Sequence, residues 1–496
     1  MSASSSEIVG IAVERRQQRL AIATAVGAAM VAIVTMLMLG YDGTVGLVFP
    51  LALVLTWVML YRPWVLYTVA LAQFSILPVE GHVRGAFIPN INQFLVPALF
   101  VAILATSAAK QRWGTFRVRA ADVFVAGFLV VAVLGIQFEP GYKNWKMFVN
   151  QIMFAVLLYF ATAWLELDRA RFRSTLKWVL LAAGFMLADL AMVQLFGIGR
   201  IWTKAGPLGS LSDQATYSAL FPPLFLYVAA TVSGPKAQRD RWFWLALAVL
   251  GTVAAAGVKE RSGVIAALAG MLVCIVHPRM FRWVAVGAVA LIPIGAWWLS
   301  TNVGSEVRSR FTDDEDPMLR RRIYLGKAID YINSEHWNPI WGTGFWRLER
   351  LSNQMLSTAE VVWYPNRMSW RSEWELGRRP IHCAPVTIFG EYGYGGVTCL
   401  AGLLICAVTS VALARARARR TGRGFDSTFL VAVGGTAVSL LINALFHNTE
   451  QVFPVTALWW AFMGLMVAHA DVLIIPREDG EKERPSNGNF RDQVAG

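Results

Sequence analysis

The chain has 496 residues, of which 56% are hydrophobic and only 16% charged, and its mean hydropathy is +0.48. A soluble protein of this length cannot hide so much apolar surface in one core, so the composition excludes that class and points to a polytopic membrane protein. The formal charge of +13 does not indicate nucleic acid, because the basic residues sit in short connectors and form no stripe interleaved with aromatics.

In chain order, residues 1–19 read as a cytoplasmic lead-in, since "MSASSSEIVGIAVERRQQRL" lacks the small-residue cleavage site of a removable signal peptide. Apolar runs follow near 20–40, 44–61, 63–78, 91–109, 120–137, 145–165, 177–197, 216–233, 242–258, 262–276 and 282–299. Three more lie near 386–413, 427–446 and 454–472. Runs of this length fit bilayer-spanning helices and predict an all-α transmembrane bundle of about 14 spans. The expected organisation is a bundle of about 11 spans over 20–299, a large outward loop over 300–385, about three spans over 386–472, and a polar, disordered cytoplasmic tail over 473–496.

Arg15, Arg16 and Arg19 precede the first run, and later basic clusters lie at 109–119, 168–177, 234–241, 277–282 and 415–423. With about 14 spans all of them fall on one side, which the positive-inside rule makes cytoplasmic together with both termini. The outward loop 300–385 is far longer than an ordinary connection. It carries Tyr324, Tyr331, Trp337, Trp341, Phe345, Trp346, Trp363, Tyr364, Trp370 and Trp374, so it is expected to fold into a small helical cap rather than stay disordered. Cys274, Cys399 and Cys406 lie within apolar runs and Cys383 stands beside His382, with no zinc spacing and no disulfide framework.

Residues suited to chemistry gather on the outward side. The connector "VKERSG" puts Lys259, Glu260 and Arg261 at the outer face, against the positive-inside trend, where they are candidates for an anion site or a self-neutralised, snorkelling cluster. "GRIWTKAGPLGSLSDQ" (199–214) adds Arg200 and Lys204. "TDDED" (312–316) contains an Asp-x-Asp spacing, but a short acidic run reads as a solvated loop, and no metal is expected. "MLRRRIYLGKAIDYINSEHWNPIWGTGF" (318–345) opens with three arginines, whose guanidinium groups suit bidentate phosphate contacts. It continues as an amphipathic helix with Ile323, Ala328, Ile329 and Ile332 as its predicted buried face. "GTGFW" (342–346) lacks the GK[S/T] of a phosphate loop and reads as a turn. In "RRPIHCAPVTIFGEYGYGGVTCLAGLL" (378–404), His382 stands where the loop re-enters the bilayer. It is either a general base near neutral pH or a histidine tolerating both phases.

The ordered set resembles the O-antigen ligase/polymerase superfamily. "KERSGVIAALAGMLV" is similar to that family's Ser-Arg-Gly segment, with Arg261 in the arginine position and Glu260 where serine is usual. The 320–345 stretch is similar to its arginine, amphipathic helix, Pro and Gly-x-Gly. The stretch from Ile381 resembles its His-Asn segment and following helix, with Cys383 in place of asparagine. The resemblance covers mainly 177–410. It implies an inverting, metal-independent glycosyltransferase of the bacterial inner membrane, without a cofactor and with its active site facing the periplasm. The donor would be a glycan on undecaprenyl pyrophosphate and the acceptor another glycan or lipid A core. Chain-length regulators or other polysaccharide-assembly proteins would be partners. Arg261 and Arg321 or Arg322 would hold the pyrophosphate, His382 would activate the acceptor hydroxyl, and Glu391 would support packing or orientation. Lys259, Arg200 and Lys204 are accessory candidates. The competing expectations are a secondary transporter, for which Asp189 and Asn443 are the deep polar residues, and a flipping or structural membrane subunit.

Overall fold

The computed structural model describes residues 63–76, 82–83, 86–87, 92–109, 117–137, 148–196, 211–258, 261–300, 317–345, 347–348, 361–364, 369–372, 383–446 and 453–475. The described chain is mostly helical. In order it runs α1 (Pro63–Ile76), a short hairpin β1 (His82–Val83) and β2 (Ala86–Phe87), α2 (Asn92–Ala109) and α3 (Ala120–Gln137). A π-helical turn (Val149–Met153) leads into α4 (Phe154–Trp164), followed by α5 (Arg169–Phe196), α6 (Leu211–Leu220), α7 (Pro222–Thr231) and α8 (Ala237–Gly257). Then come α9 (Arg261–Cys274), α10 (Pro278–Ser300), α11 (Pro317–Ile332), the hairpin β3 (Val361–Tyr364) and β4 (Ser369–Ser372), and α12 (Ala384–Arg420). The described chain closes with β5 (Gly424–Phe425), α13 (Ser427–Ala444), α14 (Phe453–Ala468), a 3₁₀ turn (Ala470–Leu473) and β6 (Ile474–Ile475).

Three of these helices are long and apolar enough to cross a membrane: Arg169–Met192 within α5, α12 and α13. Shorter apolar helices include Phe154–Trp164 and Val455–Ala468. The runs predicted near 20–40 and 44–61 lie outside the described residues. Large apolar side chains face outward, among them Val123 and Val130 on α3, Trp178 and Phe185 on α5, and Ile405, Val408 and Leu413 on α12. Exposed apolar surface of this extent is consistent with a membrane protein, where lipid replaces water around the bundle.

Two predicted spans are broken in the structure. The run 216–233 is divided between α6 and α7 at Phe221, because Pro222 and Pro223 begin α7 and neither has a backbone N–H to continue α6. The run 386–413 lies in α12, which is two helices joined at Gly393 (φ +61°, ψ −167°). The loop also departs from a purely helical cap, for it holds the antiparallel β3–β4 hairpin, with Trp363 opposite Trp370. Its strands VVWY and SWRS are rich in residues that favour strands, and Pro365-Asn366 between them is a turn signal.

The bundle packs through α9 on α13, α4 on α14, α3 on α12 and α1 on α5. Small residues let α9 and α13 approach closely. A Cβ on Gly270 of α9 would meet the Ser439 hydroxyl and would stand 2.7 Å from the Gly435 carbonyl of α13. At this approach Ser439 Oγ donates to the Ala266 carbonyl (2.9 Å). Gly270→Val is therefore expected to lower stability by roughly 1–3 kcal/mol by overpacking. Gly434→Ala, inside the same helix α13, whose new Cβ would meet nothing closer than Val273 Cγ1 at 3.9 Å, should keep or raise stability, by up to about 1 kcal/mol. Thermal unfolding of the two variants in the same detergent checks the contrast.

Candidate functional site at the loop–helix junction

The site is built where the loop docks into the break in α12. In a continuous helix the N–H groups of Tyr394 and Gly395 would donate to the carbonyls of Gly390 and Glu391. Here Tyr394 N–H donates to the Pro339 carbonyl (2.7 Å) and Gly395 N–H to that of Ile340 (2.9 Å). The two carbonyls left over accept from the loop in return. Gly390 O takes Thr343 N–H and the Trp337 indole N–H, both at 2.9 Å, and Glu391 O takes Gly344 N–H (2.9 Å). The loop thus satisfies both faces of the break, which a buried backbone requires.

This exchange needs glycine. Gly342 (φ +65°) and Gly344 (φ +86°) take left-handed conformations, and each lies backbone to backbone against its neighbour. A Cβ on Gly342 would stand 2.5 Å from the Glu391 carbonyl carbon, and one on Gly344 would strike the Gly135 carbonyl of α3. Asn338 shapes the entry, its Oδ1 accepting from Ile340 N–H (2.9 Å) and Trp341 N–H (3.3 Å). Trp337, Phe389 and Tyr394 close around the junction with ring centroids 5.0–6.1 Å apart. The segment read as a turn is a turn, and its Gly-x-Gly serves the docking.

The arginine-bearing helix meets the same corner. Ala328 of α11 and Leu348 are buried together, with Leu325, Tyr331, Ile332, Cys383 and Val386 packed against them. The buried face is thus Leu325, Ala328 and Ile332, at i, i+3 and i+7. Ile329, predicted to be on it, is 43% exposed. The reason is the docking direction, for the helix meets Leu348 and Cys383 through the Leu325, Ala328 and Ile332 stripe, which leaves Ile329 to one side. Ile323 lies where side chains are not described.

Glu391 is only 1% exposed, two residues before the break, so its surroundings suit positioning better than solvent chemistry. Arg321 and Arg322 lie on α11 and Arg261 is the first residue of α9, in each case with backbone but not side chain described. His382, Lys259, Glu260, Arg200, Lys204 and the acidic run 312–316 lie outside the described residues. His382 immediately precedes Cys383, whose extended backbone (φ −147°, ψ 95°) caps the start of α12. Asp189 of α5 and Asn443 of α13 are both buried, and Asn443 Nδ2 donates to the Ser439 carbonyl (3.3 Å). Among the described residues, no three His, Cys, Asp or Glu side chains gather as a metal-binding group. Sequence reasoning missed Arg347, which is buried at the end of the docking segment. Its proximity to the Gly-x-Gly turn is the signal that marks it.

No family model matches the chain, and neither does any curated protein.

Proposed function

We propose that the chain is an inverting membrane glycosyltransferase that moves a glycan from undecaprenyl pyrophosphate to an acceptor sugar hydroxyl at the periplasmic face, as a polymerase or ligase of O-antigen or exopolysaccharide. The observation that carries the reading is the corner just described. The helix bearing Arg320–Arg322 packs through Ala328 beside Cys383, the residue after His382. This contact supports the reading, because it joins the helix that carries the three arginines to the start of α12, about sixty residues later in the chain.

In this reading the acceptor hydroxyl oxygen attacks the anomeric carbon as its proton passes to His382. The bond from that carbon to the pyrophosphate oxygen breaks, and the electron pair leaves with lipid pyrophosphate. Arg261 with Arg321 or Arg322 stabilises the charge developing on the leaving group. The docked turn and Glu391 hold α11 and α12 in fixed relation. The arginine-rich end of the bundle faces the cytoplasm.

The test uses His382→Ala and Arg261→Ala in the native host, with immunoblots confirming insertion. Product formation should fall by roughly 10²–10⁴-fold without the base and by roughly 10²–10³-fold without the arginine. Lipid-linked donor should accumulate in both. Normal surface glycan from both inserted variants overturns the reading and moves the transporter and structural-subunit alternatives ahead.

A further inference from the structure

At the end of α12 away from this junction, four connectors that are distant in sequence close around a cleft of about 530 Å³. Arg169 and Arg173 come from the first turns of α5, Arg241 from the first turns of α8, and Arg279 and Arg282 from the first turns of α10, while Asp426 comes from the segment before α13. Five arginines and one carboxylate therefore line the cleft, and that carboxylate is already committed. Asp426 pairs with Arg169 (3.2 Å) and Arg173 (3.7 Å) and accepts from Tyr227 Oη (3.1 Å). Its other oxygen accepts from Phe429 N–H (3.3 Å), capping α13. Among the described residues Arg279 and Arg282 have no carboxylate partner.

The N-termini of α5 and α10 also open at this cleft, adding the positive ends of two helix dipoles to the guanidinium charge. Nearby, burial and the Arg279 guanidinium hold the His277 imidazole below its ordinary pKa range, against the opposing pull of Asp426. Arginines that merely snorkel would extend separately into water. These converge on a concavity, and Arg169 is only 16% exposed at its base. The exposed Trp242 and Phe281, next in sequence to Arg241 and Arg282, put aromatic surface beside the basic residues. Aromatic side chains of that kind favour headgroup depth in a bilayer.

We propose that this cleft binds a phosphate-bearing anion, held by Arg279, Arg282 and Arg173 at the rim above an Arg169–Asp426 floor. The phosphate belongs either to a membrane lipid headgroup or to a soluble compound. The site is independent of the transfer chemistry at the opposite end.

The experiment is native mass spectrometry of the full chain in detergent, titrated separately with phosphatidylglycerol, inorganic phosphate and zwitterionic phosphatidylcholine. It compares wild type with Arg279→Gln/Arg282→Gln and with Arg415→Gln/Arg420→Gln, whose arginines lie on α12 and do not line the cleft. Both substituted pairs are exposed, so folding should be retained, and thermal unfolding checks it. Loss of two charge-assisted contacts should weaken binding of the anionic probe about ten-fold or more, with phosphatidylcholine and the α12 control unaffected. If only phosphatidylglycerol responds, the source is lipid; if inorganic phosphate also responds, it is the free anion. The proposal is overturned if neither anion binds, if the rim variant binds both as wild type does, or if the α12 control loses as much.

Discussion

Gly393→Ala should cost roughly 4 kcal/mol of stability, and it should do so through the loop as much as through the helix. Gly393 sits at φ +61° and ψ −167°, a region that residues with a Cβ essentially do not enter. A Cβ there would also stand 2.6 Å from the Pro339 carbonyl oxygen and 2.8 Å from Gly342 N. Both are backbone atoms with no rotamer to relax, so the docked turn must lift away. Lifting it exposes the carbonyls of Gly390 and Glu391 and the N–H groups of Tyr394 and Gly395, which now bond only to the turn. Thermal unfolding in detergent, with limited proteolysis of the 333–348 segment, would read both effects. Gly326→Ala is the control. It lies inside α11 with nothing within 4 Å of the new Cβ, and replacing a helical glycine should raise stability by up to about 1 kcal/mol. A Gly393→Ala protein with wild-type unfolding and an uncut turn would show that the exchange of hydrogen bonds does not hold the junction.

The second large effect is expected at the other end. Asp426→Ala should cost roughly 3–5 kcal/mol, because it strands the half-buried Arg169 without its carboxylate and removes the cap of α13. Asp471→Ala should cost no more than about 1 kcal/mol. The comparison is instructive because distance alone ranks the pairs the other way. Arg417–Asp471 is 2.7 Å long and Arg169–Asp426 is 3.2 Å. The shorter pair is 57% and 53% exposed at its two side chains, so water screens it and replaces it readily. The longer pair is 16% and 8% exposed, and among the described residues no other carboxylate pairs with Arg169. Unfolding midpoints of both single variants, measured in one detergent, decide the matter. Equal losses would mean that Asp426 contributes no more than an exposed surface pair.

Much of the helical architecture was legible from apolar runs, since the length and apolarity of a helix that can meet lipid are properties of one segment. The runs at 177–197, 386–413 and 427–446 coincide with the three helices long and apolar enough to cross a membrane. Turn chemistry is similarly local, and Gly342 and Gly344 announced their bend in "GTGFW". The candidate site was legible only in part. The motif segments stood out, but the likeness of "GEYGYGG" to an unbroken, glycine-rich helix concealed the interruption at Gly393. A helix with several glycines continues unless a partner offers its backbone groups something better, and that partner lies some fifty residues earlier in the chain.

By itself, then, the sequence determined a mostly helical, strongly apolar chain with basic connectors and a large aromatic loop, because each of those features depends on neighbours within a turn or two. Only the tertiary structure decided that the loop repairs a broken helix. It also decided that α11 turns Leu325 inward in place of Ile329, and that five arginines line one cleft in which Asp426 pairs with two of them. Those outcomes rest on contacts between distant segments, where a carbonyl or carboxylate satisfies whichever donor the packing brings within about 3 Å.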